Sequence, residues 1–521
     1  MKQLTGLDAS FLYMETPNSF GHVSSLSVYR RPEDPDYRPF EALQERVQAA
    51  LPRLEPFRRR LVEVPFEIDH PYWVADPGFD LDFHLRHQGV APPGTEEQLA
   101  DQVARIIGRP MDRSRPLWEI YVIEGLANGN FAVLIKVHHA TIDGASGVEL
   151  LTMLLSAQPD PEGHDVVVDD WEPGRIPGQL EMFNRALLSL ARQPEKAIRL
   201  QLSTLRRLGG MSKNLSDATK RARLSGVGAG AMLDRAPVLP SLAAPRTPFN
   251  RAITAHRRCA FRSVPLQAVR SLKAHFEVTV NDIVMAVCAG ALRNYLAAKQ
   301  ALPDKPLIAM VPVSIRTGEE ADRWTNRVSG LVVALPTHLA QPQERVQAMH
   351  EAMAAAKADF ELVPAEALIE LSQLAPPALS TRAARMAASL RIANLMAPPI
   401  NLVISNVPGP RAPLYLGEAR LEHYYPLSTV VDGQGLNITV QSYVDSLDFG
   451  LVACRELVPD LVELLDLCVA EVDVLLAAAS LAPLEAKASD ATDHPLPRQP
   501  PRSGAKTATR PPRPRGRARP E

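Results

Sequence analysis

The sequence predicts a mixed α/β fold made of two α/β regions joined by a helical segment, and three observations point there. At 521 residues the chain exceeds one ordinary domain, so two or more packed units are expected. Hydrophobic residues at 46% and charged residues at 22% are the proportions of a globular protein with sizeable cores. Strand-like and helical patterns mix in two separate stretches, 1–160 and 249–485, and the residues between them differ in composition.

In the first stretch, Phe11 to Tyr13 and Val23 to Tyr29 read as short strands and Phe40 to Leu51 as a helix. Leu117 to Leu126 and Phe131 to Val137 are rich in β-forming residues and flank Asn128-Gly129, the signature of a hairpin turn. The second of these strands runs directly into His138. From Ser146 onward, Val148, Leu151, Leu154 and Leu155 recur at helical spacing. The segment His138-His139-Ala140-Thr141-Ile142-Asp143-Gly144 is therefore expected on a strand-to-helix connection, where rigid supports present side chains into a cleft.

Residues 161–248 form the middle stretch. Within it, 181–225 is helical and basic, with ten Lys/Arg against three acids, and its charges interleave with Met182, Phe183, Leu187, Leu188 and other apolar residues. Such a helix suits an anionic membrane or lipid droplet, or else packs on its own protein with a solvated basic face. Gly226 to Gly230 and the proline-rich 237–248 read as linker.

In the second α/β stretch, Thr279 and Asp282 have capping-box spacing at the start of a strongly apolar helix. Ile400 to Ile404 reads as a strand that runs into a Pro-Gly turn at 408–409. Ile438 to Tyr443 reads as a strand with Thr439, Gln441 and Tyr443 on one face, a polar face that lines a tunnel or else meets water. Residues 486–521 are basic and proline-rich with almost nothing large and apolar, which predicts a disordered tail.

Several function classes drop out. A formal net charge of −2 gives no reason to expect nucleic acid as a partner. The four cysteines stand far apart, and the apolar surroundings of most of them predict buried thiols in a reducing cytoplasm. An acid at Asp8 interrupts the start where a signal peptide needs a long apolar core, and no run reaches the roughly 18 apolar residues of a spanning helix. Membrane contact is therefore expected to be peripheral.

The histidine segment carries the chemistry. Moving an acyl group from a thioester to an alcohol requires a base for the hydroxyl proton, and an imidazole titrates in the right range. A thioester is already activated, so neither a metal nor a covalent nucleophile is required. On a continuing strand, His138 and His139 would point to opposite faces, and one alone would meet the reacting atoms. Two histidines that merely pack, with Asp143 as a turn residue, would also account for the segment. A metal site would lack a strong third ligand nearby, so none is expected.

The segment resembles the HHxxxDG signature of CoA-dependent acyltransferases with the chloramphenicol-acetyltransferase-like fold. Further segments narrow the resemblance: Leu7 to Leu12, Pro116-Leu117-Trp118, Asn281-Asp282, Pro312 to Arg316 and Ser405-Asn406-Val407-Pro408-Gly409-Pro410 look like the bifunctional wax ester synthase/diacylglycerol acyltransferase family. Together they span about 1–475.

That resemblance implies two chloramphenicol-acetyltransferase-like domains with a substrate channel at their interface. It implies His139 as general base, His138 as a secondary neighbour, Asp143 and Gly144 as parts of the motif loop, and Arg316 as a partner for Asp143. It places Pro116, Leu117, Trp118, Asn281, Asp282, Ser405, Asn406, Pro408 and Gly409 on the substrate side. Acyl-CoA would be a co-substrate, with no further cofactor, and the acceptor a diacylglycerol or long-chain alcohol. The enzyme would work in the cytoplasm or peripherally at the inner membrane face or lipid droplets. An acyltransferase of the same fold for another acceptor, and a non-catalytic lipid-droplet protein, stand as alternatives.

Overall fold

Two six-stranded mixed sheets carry the chain, and each is built round a strand too apolar to face water. The computed structural model describes residues 1–142, 144–159, 171–189, 244–314, 328–361 and 377–484, all within one unit, Met1–Leu484. In chain order the strands are β1 (Lys2–Gln3), β2 (His22–Arg30), β3 (Arg59–Val62), β4 (Tyr72–Ala75), β5 (Leu85–Gly89), β6 (Trp118–Glu124), β7 (Phe131–His138), β8 (Arg257–Pro265), β9 (Leu307–Ser314), β10 (Val328–Leu335), β11 (Leu402–Val407), β12 (Tyr415–Leu416), β13 (Ala419–Leu427), β14 (Leu436–Tyr443) and β15 (Ser446–Cys454). The helices are α1 (Gly6–Tyr13), α2 (Pro39–Ala50), α3 (Glu96–Ile107), α4 (Gly144–Leu154), α5 (179–189), α6 (Leu266–Phe276), α7 (Val280–Ala298), α8 (Pro342–Glu361), α9 (Pro377–Ser389) and α10 (Leu461–Ala478).

The first sheet has the order β12-β13-β2-β7-β6-β5 and the second β10-β9-β11-β14-β15-β8, while β1, β4 and β3 form a small third sheet. In β7 all eight residues are buried, because FAVLIKVH is apolar at nearly every position and both faces are covered. In the two large sheets, β11 runs parallel to β9 and β14, β5 runs parallel to β6, and the other pairs are antiparallel. The expected hairpin is β6–β7, with Gly129 at φ 77° in its turn. β13 comes from the later part of the chain yet pairs with β2, Arg420 opposite Arg30 and Leu427 opposite Ser24.

Helices α2 and α4 cover the first sheet through Leu43, Val47, Leu150 and Leu154. The second sheet packs on α6, α7, α8 and α10, and α7 is apolar nearly all round and buried accordingly. Helix α3 joins the two sheets: its Leu99, Val103 and Ile106 meet Leu26 and Leu134 of the first and Phe261 and Val452 of the second. At its end, Lys136 donates from its ammonium to Ile106 O (3.3 Å) and to Arg109 O (2.8 Å) just beyond the helix, and His22 Nε2 lies 2.8 Å from Ile107 O. A cation at a helix C-terminus is favoured by the helix dipole.

Two local expectations are corrected. Phe11 to Tyr13 lies in helix α1, because the Thr5 side chain accepts from Asp8 N and caps a turn that buries Ala9 and Leu12. Ser405 and Asn406 belong to β11, since pairing with Thr439 and Val440 of β14 carries the strand past Ile404. The Thr279–Asp282 capping box is present, and all four cysteines are buried and free. Asp143, Arg316, Gly226 to Gly230, most of 181–225 and the tail lie outside the described residues.

A side chain at Gly450 would run into the backbone carbonyl of Pro426, where β15 meets β13. Gly450→Ala is therefore expected to destabilise the protein by about 2 kcal/mol. Thermal unfolding reads this; an unchanged melting temperature would contradict so close an approach of the strands.

Candidate active site

The two histidines at the end of β7 point to opposite sides, and their surroundings differ. His138 is fully enclosed. Its N–H donates to Leu117 O (3.0 Å), and its Nδ1 accepts from Ala140 N (3.1 Å). Its Nε2 then faces Glu15 Oε1 at 3.3 Å, an electrostatic contact rather than a well-aligned hydrogen bond. Glu15 also accepts from Gly21 N (2.7 Å) and, on its other oxygen, from Arg113 (2.6 Å). Burial pushes the Glu15 carboxyl up, but His138, the Gly21 N–H and the Arg113 guanidinium outweigh it and bring its pKa down to about 2. Gly21 has no space for a side chain, since a Cβ would come within 2.6 Å of His138 Nε2 and 2.7 Å of Phe11 O.

His139 faces the other way. Its N–H donates to Gly21 O (2.8 Å), and its ring stacks on Phe11 with centroids 4.0 Å apart and planes 10° from parallel. The imidazole lines a cavity of about 510 Å³ between the two large sheets. Ser24, Ser25 and Val137 wall it from the first sheet, Asn406, Thr439 and Gln441 from the second, and Tyr424 and Leu427 from β13. Most of the lining is apolar.

The polar groups in that wall are mostly committed. The Thr439 hydroxyl donates to Asn437 Oδ1 (2.8 Å), and Asn406 Nδ2 donates to Asn281 Oδ1 (3.3 Å). Gln441 is buried, and its side-chain nitrogen has no protein partner. That amide backs onto Gly409, where a Cβ would stand 2.9 Å from Nε2. Among the described residues no three His, Cys, Asp or Glu side chains converge to hold a metal.

The cavity brings together His139, Ser405, Asn406 and Pro408 of the residues singled out from the sequence. Thr439 and Gln441 line it as well, while the Tyr443 hydroxyl turns aside to donate to Leu421 O (3.1 Å). Asn281 stands one layer back, behind Asn406. Asp282 caps α7 and lies 2.8 Å from His350 Nδ1. Gly144 opens α4.

The Pro116-Leu117-Trp118 segment is away from the cavity lining. Trp118 is sandwiched between Phe57 and His84, each at 4.3 Å, and its indole N–H donates to Phe57 O (2.8 Å). Its contribution is to hold the histidine segment from behind, through Leu117 O and the β6–β7 pairing.

Sequence reasoning missed Glu15, Arg113 and Gly21. Glu15 and Arg113 meet across 98 positions, and no spacing rule marks such a pair. Their only signal is proximity to quoted segments, Glu15 just after Leu7 to Leu12 and Arg113 just before Pro116.

Comparison with known proteins gives a consistent picture. The profile described as "Wax ester synthase/diacylglycerol acyltransferase catalytic domain" matches residues 4–284, and that of the "WS/DGAT C-terminal domain" matches 324–475. A Mycobacterium tuberculosis protein named a probable diacylglycerol O-acyltransferase is 38% identical over 459 residues, 88% of this chain and 95% of the relative. The solved wax ester synthase/diacylglycerol acyltransferase from Marinobacter aquaeolei VT8 superposes with a TM-score of 0.64 at 30% identity, covering 92% of this chain and 100% of the other. The first condensation domain of the calcium-dependent antibiotic synthetase shares the fold, with a TM-score of 0.52 at 15% identity over 93% of this chain and 98% of that one.

The lowered pKa of Glu15 makes a pH-dependent prediction. A depressed carboxyl contributes stability that is fully present above its unfolded value of 4.5 and is lost as pH falls toward about 2. Glu15→Gln should cost up to roughly 3 kcal/mol at neutral pH, with the difference from wild type narrowing below pH 4.5. Denaturant titrations across pH check this; a difference constant with pH would contradict the ionic role.

Proposed function

The chain belongs to the wax ester synthase/diacylglycerol acyltransferase family, and from that premise we propose that it moves a long-chain acyl group from acyl-CoA to the hydroxyl of a diacylglycerol or long-chain alcohol. One observation carries the assignment of roles: His139 alone of the histidine pair lines the cavity between the sheets. Its imidazole takes the acceptor's hydroxyl proton as that oxygen attacks the thioester carbonyl. The carbon–sulfur bond then breaks, and the imidazolium returns the proton to the CoA thiolate. Stacking on Phe11 and the backbone bond to Gly21 hold the ring in place, so little reorganisation is needed on the way to the transition state.

Transfer is direct, with acyl-CoA as co-substrate and no further cofactor. All four thiols are buried and none lines the cavity, which supports a route without a cysteine acyl-enzyme. The Gln441 amide is the donor we assign to the carbonyl oxygen. Its partnerless N–H₂ and its place in the cavity lining support that role. Asp143 and Arg316 belong to the same proposal as braces of the histidine loop. No single helix among the described residues is long and apolar enough to cross a membrane.

Labelled palmitoyl-CoA, supplied with either dioleoylglycerol or hexadecanol, tests the reading by separation of the neutral lipids. Wild-type protein should esterify at least one acceptor, and His139→Ala should lose about 10²–10⁴-fold in turnover while keeping its melting temperature. Lipid binding with no product from either acceptor would contradict the assignment. Gln441→Leu should lower kcat about 100-fold with KM for acyl-CoA little changed; a change confined to KM would remove the amide from the transition state.

A further inference from the structure

Four large apolar side chains stand in solvent within one short stretch: Met386 (58% exposed), Leu390 (62%), Leu395 (78%) and Met396 (64%). Met386 and Leu390 are one helical turn apart at the end of α9, on the face that begins with exposed Arg382. Leu395 and Met396 follow on a turn started by Arg391, whose φ of 50° reverses the chain.

That turn is tied down rather than frayed. The N–H groups of Leu395 and Met396 donate to Ile392 O (2.8 and 3.1 Å). Arg246 donates to the carbonyls of Asn394 (2.8 Å) and Met396 (2.7 Å), and Asn394 Oδ1 accepts from Ala252 N (2.9 Å). A rigid backbone thus holds apolar groups outward, and a clustered apolar patch of this kind marks a docking surface.

The charges carried by this stretch have one sign. Arg382, Arg385 and Arg391 are exposed beside the patch, and residues 371–417 contain no Asp or Glu. Arg385 reaches Glu67 at 3.8 Å, next to Phe66, which is itself exposed and meets Phe183 of α5 edge-on at 6.2 Å. The same helix α5 also exposes Leu187 and Leu188.

Its position bears on the chemistry. Helix α9 packs against α1, the helix whose Phe11 stacks on His139. The chain after Met396 leads into β11, which supplies Val403 and Ser405 to the cavity wall.

We propose that Met386, Leu390, Leu395 and Met396, flanked by Arg382, Arg385 and Arg391, dock the protein on an anionic phospholipid surface. The apolar side chains enter the region between headgroups and acyl chains, while the guanidinium groups meet lipid phosphates. Its biological sense rests on the acyl-transfer reading, since an acceptor that does not dissolve in water must be drawn from a lipid phase.

Cosedimentation of the full chain with vesicles tests the surface without reference to turnover. Wild-type protein should bind phosphatidylglycerol/phosphatidylcholine vesicles and bind phosphatidylcholine alone more weakly. The quadruple variant Met386→Ser/Leu390→Ser/Leu395→Ser/Met396→Ser should lose at least about tenfold in binding. Arg382→Gln/Arg385→Gln/Arg391→Gln should lose the preference for the anionic lipid. Both variants should keep the wild-type melting temperature, and with vesicles absent they should keep its turnover of a short-chain acyl-CoA and a water-soluble alcohol. Undiminished vesicle binding by the quadruple variant would overturn the proposal. So would a wild-type dimer that the same substitutions dissociate, because a second copy would then be the occupant. Patch-dependent vesicle binding by a protein that transfers no acyl group would support the docking surface while contradicting the acyl-transfer reading.

Discussion

Antiparallel pairing between β13 and β2 is the interaction on which the rest of the site depends. β2 lies between β13 and β7, so the strand that ends in the two histidines has a partner that is itself held from the far side. β13 is bound to both sheets. Its ladder bonds go to β2 and β12, while just past its bulge between Leu421 and His423 the Tyr424 N–H donates to Asp448 Oδ2 (2.8 Å) on β15. Asp448 is buried, and its other oxygen accepts from Ser263 (2.6 Å) of β8. A satisfied buried network of this kind fixes one arrangement, because every alternative leaves a polar group unpaired in a low-dielectric interior. The cavity is the space left between sheets that one strand has clamped together.

Within that frame, strand alternation divides the labour of the histidine pair. His138 turns inward to Glu15, Gly21 and Arg113, and the half-buried charges there fix the loop's backbone. His139 turns outward to the cavity with Phe11 behind it. Gly21 serves both, since its N–H meets Glu15, its carbonyl accepts from His139, and its lack of a side chain lets His138 approach.

Local pattern made much of this legible. The Asn-Gly turn, the β-rich runs round it and the helical period after Ser146 place the histidine segment between β7 and α4, where it stands. The capping box at Thr279 and the polar face of β14 were also readable, because each depends on residues close in sequence. Long-range pairing was not readable. Nothing in 419–427 announces that it joins a sheet whose other main strands lie before residue 139, and nothing in Glu15 announces Arg113. Phe11 misled for a related reason: an aromatic beside apolar neighbours looks like strand until the Thr5 cap and the buried side of α1 are taken together. Trp118 shows the converse, since its segment matters to the motif by bracing it from the core rather than by touching the cavity.

Direct transfer assisted by His139 is the claim that binds these features into one mechanism, and the intact mass of the protein tests it most directly. Wild-type protein mixed with palmitoyl-CoA in the absence of any acceptor should keep its unmodified mass and release no stoichiometric burst of CoA. A protein heavier by one palmitoyl group, losing it when dioleoylglycerol is added, would contradict the account and put a covalent nucleophile in the cavity.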